Sequence, residues 1–248
     1  MRLLPVIVSS LLLCGVSSAQ FSPVPFSARS ASLGGIHAVD TVSRRISLSY
    51  RQGYAMSGLA TRMLDAAWTL GNRGRIEAAY SHFGDAIYRE HQAVLGYNLR
   101  LSDWLSAGIR GGYFCVSTGD AHYEAQQWLA AEAGIQAQLN ESLTLYAEGG
   151  SRQWDRSKPW LARIGVEYHA VMGLTTVVEL DSDEHTRLRA GVEYCYRRHY
   201  FLRTGLATRP LTLAFGFGAR LGIYGIDLAI GRHEYLGFTP QISLSVCP

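Results

Sequence analysis

Residues 211–221 read LTLAFGFGARL, and the side chains along this stretch alternate in character. The odd-numbered positions are all apolar, whereas the even-numbered positions are Thr, Ala, Gly, Gly and Arg. A period of two residues places successive side chains on opposite faces of a β-strand. The stretch therefore predicts a strand with one apolar face and one face that is small or charged.

The same alternation returns along the chain from residue 45 onward, separated by short turns such as Ser102-Asp103 and Arg209-Pro210. It predicts about 12–14 strands, with an even number expected for a closed antiparallel arrangement. For Met63–Leu70 a helical turn is the alternative. The predicted spans are 45–52, 58–69, 74–82, 90–101, 104–116, 122–139, 143–151, 160–169, 174–181, 186–196, 199–207, 211–221, 223–231 and 240–246.

The composition indicates what each face meets. Charged residues are 17% of the chain, against about 25% in ordinary soluble domains. Apolar faces end in aromatic residues such as Tyr97, Tyr113 and Trp160. Lysine, which is common on the polar face of soluble sheets, is almost absent here, and Lys158 lies in a turn. We therefore predict an all-β protein, a transmembrane antiparallel up-and-down β-barrel with its apolar face toward lipid and its polar face inside. The predicted location is the outer membrane of a Gram-negative bacterium.

The predicted lumen-facing residues carry charges of both signs, which suits an enclosed interior where they pair with one another. Two interpretations remain: a paired network that fills and stabilises the lumen, or a polar conduit or ligand site. Because these side chains carry charges of both signs, their fields cancel, which works against selection of solutes by charge. The predicted set is Arg100, Arg110, Glu132, Glu148, Arg163, Glu167, Arg187, Arg189, Glu193, Arg203, Arg220 and Asp227, together with Glu77 and Glu179.

The first residues predict export. Arg2 precedes an apolar run to Val16, and small residues follow, so residues 1–19 are interpreted as a cleaved signal peptide rather than a membrane anchor or a lipoprotein signal. Residues 20–44 form a lead-in segment and 45–248 the barrel. Arg29 and Gly34-Gly35 belong to a predicted plug inside the barrel; an ordinary turn into the first strand is the alternative.

Two stretches go beyond the general pattern. Residues 23–35 read PVPFSARSASLGG, and residues 234–245 read EYLGFTPQISLS before the chain end. With the strand at 213–220, they resemble the opening and closing segments of the PorV/PorQ group of barrels, relatives of the FadL-type transporters. The resemblance implies an accessory component of type IX protein secretion or surface attachment, with secretion proteins as partners. The alternative is a FadL-like channel for small or apolar solutes.

Other functions have less support in the sequence. The net charge of +3 is spread along the chain, so no nucleic acid is expected as a partner. The eight histidines and four cysteines show no zinc-binding spacing, so neither a metal nor a cofactor is expected. No catalytic residue is predicted; an outer-membrane lipid-modifying enzyme remains a second alternative. Cys115, Cys195 and Cys247 are interpreted as separate thiols, with one disulfide among them as the alternative.

Overall fold

A computed structural model describes residues 26–36, 44–120, 122, 124–152, 160–170, 173–182 and 186–248. The predicted signal peptide lies outside these residues. The described part contains one short helix, α1 (Ala28–Ser32), and two 3-10 turns, Gly53–Ala55 and Ser57–Leu59. No helix in this part of the chain is long and apolar enough to cross a membrane.

The rest of the described chain forms fourteen strands, at the upper end of the predicted number. In chain order they are β1 (Arg44–Gln52), β2 (Ala60–Leu70), β3 (Gly74–Gly84), β4 (Tyr88–Arg100), β5 (Leu105–Thr118), β6 (Gln126–Gln138), β7 (Leu143–Arg152), β8 (Trp160–His169), β9 (Leu174–Ser182), β10 (Thr186–Tyr196), β11 (Tyr200–Ala207), β12 (Thr212–Leu221), β13 (Tyr224–His233) and β14 (Gly237–Val246).

Each strand pairs antiparallel with its neighbours in sequence, and β1 pairs with β14 to close the barrel. The closing register runs from Ile46 opposite Val246 to Arg51 opposite Gln241. On the inner face of this seam the Ser49 and Ser243 hydroxyls lie 2.6 Å apart and share a hydrogen bond. Closure leaves no open sheet edge, which is what a hydrocarbon environment demands.

The two faces of the wall are inverted relative to a soluble protein. Large apolar side chains such as Leu48, Leu95 and Ile109 are exposed on the outside, whereas Arg163 and Glu179 are almost fully buried inside. Burying charge is tolerated only where ion pairs and hydrogen bonds compensate it. The structure thus confirms the predicted all-β antiparallel barrel and the assignment of its two faces.

Prediction and structure differ at a few strands and strand ends. Residues 63–70 belong to β2, so the helical alternative is wrong. Strand β6 begins at Gln126 rather than 122, and β14 begins at Gly237 rather than 240. Pro240 pairs with Ile230 of β13, while the pairing of β14 with β1 ends at Gln241. A proline has no N–H for the ladder, so it is accommodated where only one neighbour is paired.

Candidate functional site: the barrel lumen

The N-terminal segment, defined here as residues 26–36, lies inside the barrel against the inner faces of β9 to β14. Leu33 and Ile36 are buried and form an apolar cluster with Val177 of β9. The Ser27 hydroxyl accepts a hydrogen bond from the Ser30 N–H at 3.1 Å and caps α1. The segment therefore enters the lumen as a compact turn of helix rather than as an extended lead-in.

A groove of three glycines in the wall receives this segment. A Cβ at Gly191 of β10 would lie 2.9 Å from the Leu33 Cβ, and one at Gly205 of β11 would overlap the Leu33 backbone. A Cβ at Gly216 of β12 would collide with Ser32. Real Cβ atoms do not approach so closely, so only glycine lets the backbone of the segment lie directly on the wall.

Polar contacts hold the segment at both ends. The Arg29 guanidinium donates two hydrogen bonds to the Glu193 carboxylate, at 2.9 and 3.1 Å. The Ala28 N–H donates to the Ser243 hydroxyl at 2.7 Å, and the Gly35 carbonyl accepts from Arg189 at 2.9 Å. A bidentate arginine–carboxylate pair fixes orientation as well as position. The structure places both Arg29 and Gly35 of the predicted plug in contact with the wall.

The first anchor continues into a chain of ion pairs across β10 to β13. Glu193 also accepts from Arg203 Nε at 2.6 Å, Arg203 Nη1 donates to Asp227 at 2.6 Å, and Asp227 accepts from Arg220 at 2.9 Å. Arg203 is 4% exposed and Asp227 is 4% exposed, so little water screens these charges. Each carboxylate in this chain lies between two guanidinium groups, so its charge is compensated on both sides.

The second anchor joins a longer chain across β5 to β10. Arg189 pairs with Glu179 and Asp181, each at 3.0 Å, and the Tyr146 hydroxyl donates to Glu179 at 2.9 Å. The chain continues through Arg163, Glu148, Arg110 and Glu132, with the Arg110–Glu132 pair at 3.1 Å. The N-terminal segment therefore touches both chains, through Arg29 and through the Gly35 carbonyl.

Ten of the fourteen predicted lumen residues are named in these two chains. The other four are Arg100, Arg187, Glu167 and Glu77, and Glu77 pairs with Arg75 at 2.9 Å. Arg100 is exposed at the end of β4, where it donates to the Asn72 carbonyl at 2.7 Å. Arg187 lies on the inner face opposite Asp181 in the β9–β10 register. Glu167 is buried and pairs with His169 at 3.3 Å.

Sequence reasoning missed several buried polar residues of the inner face. Asp181 pairs with Arg189, Asp65 accepts from Arg45 at 2.6 Å, and Tyr146 reaches Glu179. Asp181 and Asp65 could have been found from the sequence, because both occupy polar positions in the alternating pattern of their strands. Tyr146 also points inward, and the residue opposite it in the register is Gly165, where a Cβ would overlap the Tyr146 ring.

The opposite wall of the lumen carries a group of aromatic and apolar side chains. Phe114 and Val116 of β5 are buried, and Tyr88, Trp128 and Ala130 pack against them. Phe83 lies edge-on to Tyr88, with ring centroids 6.4 Å apart. All six side chains belong to inward-facing positions near the end of the barrel remote from Arg44 and Val246. We call these six residues the lumen aromatic cluster.

A depression of about 700 Å³ marks the outside of the same wall. Small outward-facing residues, Gly111, Ala131 and Ala133, form its floor, and larger side chains such as Tyr97 and Trp160 surround it. It faces the apolar surroundings of the barrel, since its outward-facing neighbours are the exposed hydrophobic residues of β3 to β8. The outer face of the wall at β5 to β7 therefore carries small side chains at the floor of this depression.

The described residues also bear on the predictions about metal ions and disulfides. Among them no group of three or more His, Cys, Asp or Glu side chains is arranged to hold a metal ion. Cys115, Cys195 and Cys247 are free thiols rather than disulfide partners.

The glycine groove makes a testable prediction about the seating of the segment. Gly205→Ala is expected to loosen residues 28–36, because the added Cβ overlaps the Leu33 backbone. Overpacking of this kind costs about 1–3 kcal/mol, which corresponds to roughly 5- to 100-fold faster local hydrogen exchange. Hydrogen-exchange mass spectrometry of the detergent-purified protein measures it.

Gly231→Ala is the matched control, because a Cβ there meets nothing nearer than Thr212 Cγ2 at 3.8 Å. Equal exchange in residues 28–36 of the two variants would show that the groove does not seat the segment.

Comparison with solved structures establishes the kind of barrel. The chain is similar to the CymD monoaromatic hydrocarbon channel, with a TM-score of 0.64 and 11% identity over 92% of this chain and 97% of that one. It is also similar to the Pseudomonas putida toluene transporter TodX, with a TM-score of 0.66 and 11% identity over 91% and 98% of the two chains. The fold is that of an outer-membrane β-barrel.

The Acinetobacter baumannii outer membrane protein Omp33 shares this fold, with a TM-score of 0.58 and 8% identity over 84% of this chain and 98% of that one. Identities this low show the fold alone. Neither a protein-family model nor a curated protein sequence matches this chain. The PorV/PorQ resemblance gains no support from these barrels, and a role in type IX secretion stays a prediction.

Proposed function

We propose that this protein is an outer-membrane channel for small, largely apolar solutes, and that the N-terminal segment plugs its lumen. The observation that carries the proposal is the different character of the two walls of the lumen. One wall holds residues 26–36 on a glycine groove, while the opposite wall presents the lumen aromatic cluster. Binding sites for small molecules are lined mainly by hydrophobic and aromatic side chains.

The chemistry of the two walls supports this division of roles. The partly buried Trp128 ring, packed against the buried Phe114, offers an aromatic surface to an apolar or aromatic solute. The segment is held by polar anchors, chiefly Arg29 to Glu193 and Gly35 to Arg189, and by the packing of Leu33 and Ile36 against Val177. The resemblance in fold to hydrocarbon channels agrees with this proposal.

Uptake of a labelled aromatic hydrocarbon such as toluene by a Gram-negative host expressing the chain tests the proposal. Expression is expected to raise uptake several-fold, and Trp128→Ser to reverse most of that rise, because one ring of an aromatic pair contributes about 0.5–1.5 kcal/mol beyond its buried area. Trp160→Ser is the matched control, since Trp160 is exposed on the outer face. Unchanged uptake on expression would contradict the channel, and equal losses in both variants would contradict the assigned route.

A further inference from the structure

A group of cationic and imidazole side chains lies on the outer face of the barrel. Arg62 of β2, His82 of β3 and His91 of β4 are directly opposite one another in the strand register. Arg89 lies two residues from His91 on the same face of β4 and is exposed, as is Arg62. We call these four residues the outer basic row; they lie toward the end of the barrel remote from Arg44 and Val246.

The members of the row are close enough to act as one site. The His82 and His91 ring centroids are 4.9 Å apart, and the Tyr80 hydroxyl lies 2.7 Å from His91 Nδ1. Arg62 lies directly opposite His82 in the strand register, and Arg89 lies two residues from His91 along β4. Adjacent strands are about 4.8 Å apart, so the three opposed residues span roughly the width of one lipid headgroup.

No acidic side chain of these strands neutralises the row. Among the described residues, the acids of β2, β3 and β4 are Asp65, Glu77 and Glu90, and all three occupy inward-facing positions. Asp85, in the turn between β3 and β4, accepts the Ile87 N–H with its Oδ1 at 2.8 Å. Arg62 and Arg89 therefore have no carboxylate beside them on the outer face of these described strands, so an anion supplied from outside is the partner that would neutralise their charge.

The level of the row in the wall indicates which anion is available. One step down the strands, the outward-facing row consists of Leu64, Tyr80, Ala93, Tyr113 and Leu129. Tyrosines among aliphatic residues are typical of the boundary between hydrocarbon and headgroups. Two residues along a strand advance by about 7 Å, which places the basic row at the depth of headgroup phosphates.

We propose that the outer basic row binds the phosphate of a lipid headgroup in the leaflet at this end of the barrel. Arg62 and Arg89 supply guanidinium groups, which match phosphate geometry and donate two hydrogen bonds each. The imidazoles of His82 and His91 contribute further donors between them, and the acyl chains lie along Leu64 and Tyr80. The inference rests on the membrane placement of the barrel and not on its acting as a channel.

Binding of short-chain phosphatidic acid to the detergent-purified full-length protein, measured by native mass spectrometry, tests the site. The double variant Arg62→Ser/Arg89→Ser is expected to weaken binding by about tenfold or more, because each basic side chain near an anionic headgroup contributes of the order of a fivefold change. Arg232→Ser is the matched control, since Arg232 is exposed on the outer face of β13. Diacylglycerol of the same chain length, which lacks the phosphate, is expected to bind equally to all variants.

Several results would overturn the proposal. If the double variant and the native chain had equal affinity for phosphatidic acid, the row would not be the binding site. The same would follow if Arg232→Ser lost as much affinity as the double variant. Displacement by inorganic phosphate at the same concentration as the lipid would make the site one for the free ion. The Arg62→Lys/Arg89→Lys variant guards against misfolding: it keeps the charge, and it should retain most of the binding. Loss of solute uptake alone leaves the lipid result intact, so failure of the two proposals is distinguishable.

Discussion

Arg203→Met is expected to lower the free energy of unfolding by about 3–5 kcal/mol, because it leaves buried carboxylates without their shared partner. Arg203 joins Glu193 to Asp227 through hydrogen bonds of 2.6 Å each, and its side chain is 1% exposed. Urea titration of the protein refolded into lipid vesicles, followed by tryptophan fluorescence, measures the change.

Two further variants separate this effect from a general sensitivity of the lumen. Arg100→Met removes an exposed guanidinium outside both ion-pair chains, and such surface changes usually stay within about 0.5 kcal/mol. Arg203→Lys keeps a positive charge between Glu193 and Asp227 and should restore part of the stability lost in Arg203→Met. A small effect of Arg203→Met, or no recovery in Arg203→Lys, would show that the chain is not an energetic unit.

Arg29→Ala is expected to unseat the N-terminal segment and to raise the conductance of the barrel in planar bilayers. The substitution removes the bidentate pair with Glu193. Truncating one partner of such a buried pair costs about 2–5 kcal/mol. A loss of about 3 kcal/mol raises the ratio of released to seated segment roughly a hundredfold. Frequent openings, or a higher mean conductance, are therefore expected.

Deletion of residues 26–36 is expected to give the highest conductance. The conductance of Arg29→Lys should lie between those of the native chain and Arg29→Ala, because lysine keeps the charge but cannot form the bidentate pair. Arg75→Met is the control on the opposite wall, where Arg75 pairs with Glu77 at 2.9 Å away from the segment. Native-like conductance in both Arg29→Ala and the deletion would mean that residues 26–36 do not obstruct the lumen.

Much of the barrel follows from local pattern. Alternation with a period of two, as in residues 211–221, is a property of each strand alone, and it predicts which face of the strand is apolar without knowledge of its neighbours. The low charge content and the aromatic ends of the apolar faces then identify the solvent as lipid. The strands, the closed antiparallel order and the polar inner face were accordingly within reach of the sequence.

The arrangement inside the barrel required the tertiary structure. Which arginine meets which carboxylate depends on the register of neighbouring strands, as for Arg203 with Glu193 and Asp227, and register arises from turn lengths and from closure rather than from alternation. The groove of Gly191, Gly205 and Gly216 exists only because adjacent strands bring these glycines beside the N-terminal segment. Residues far apart along the chain meet there, and local periodicity carries no information about such long-range neighbours.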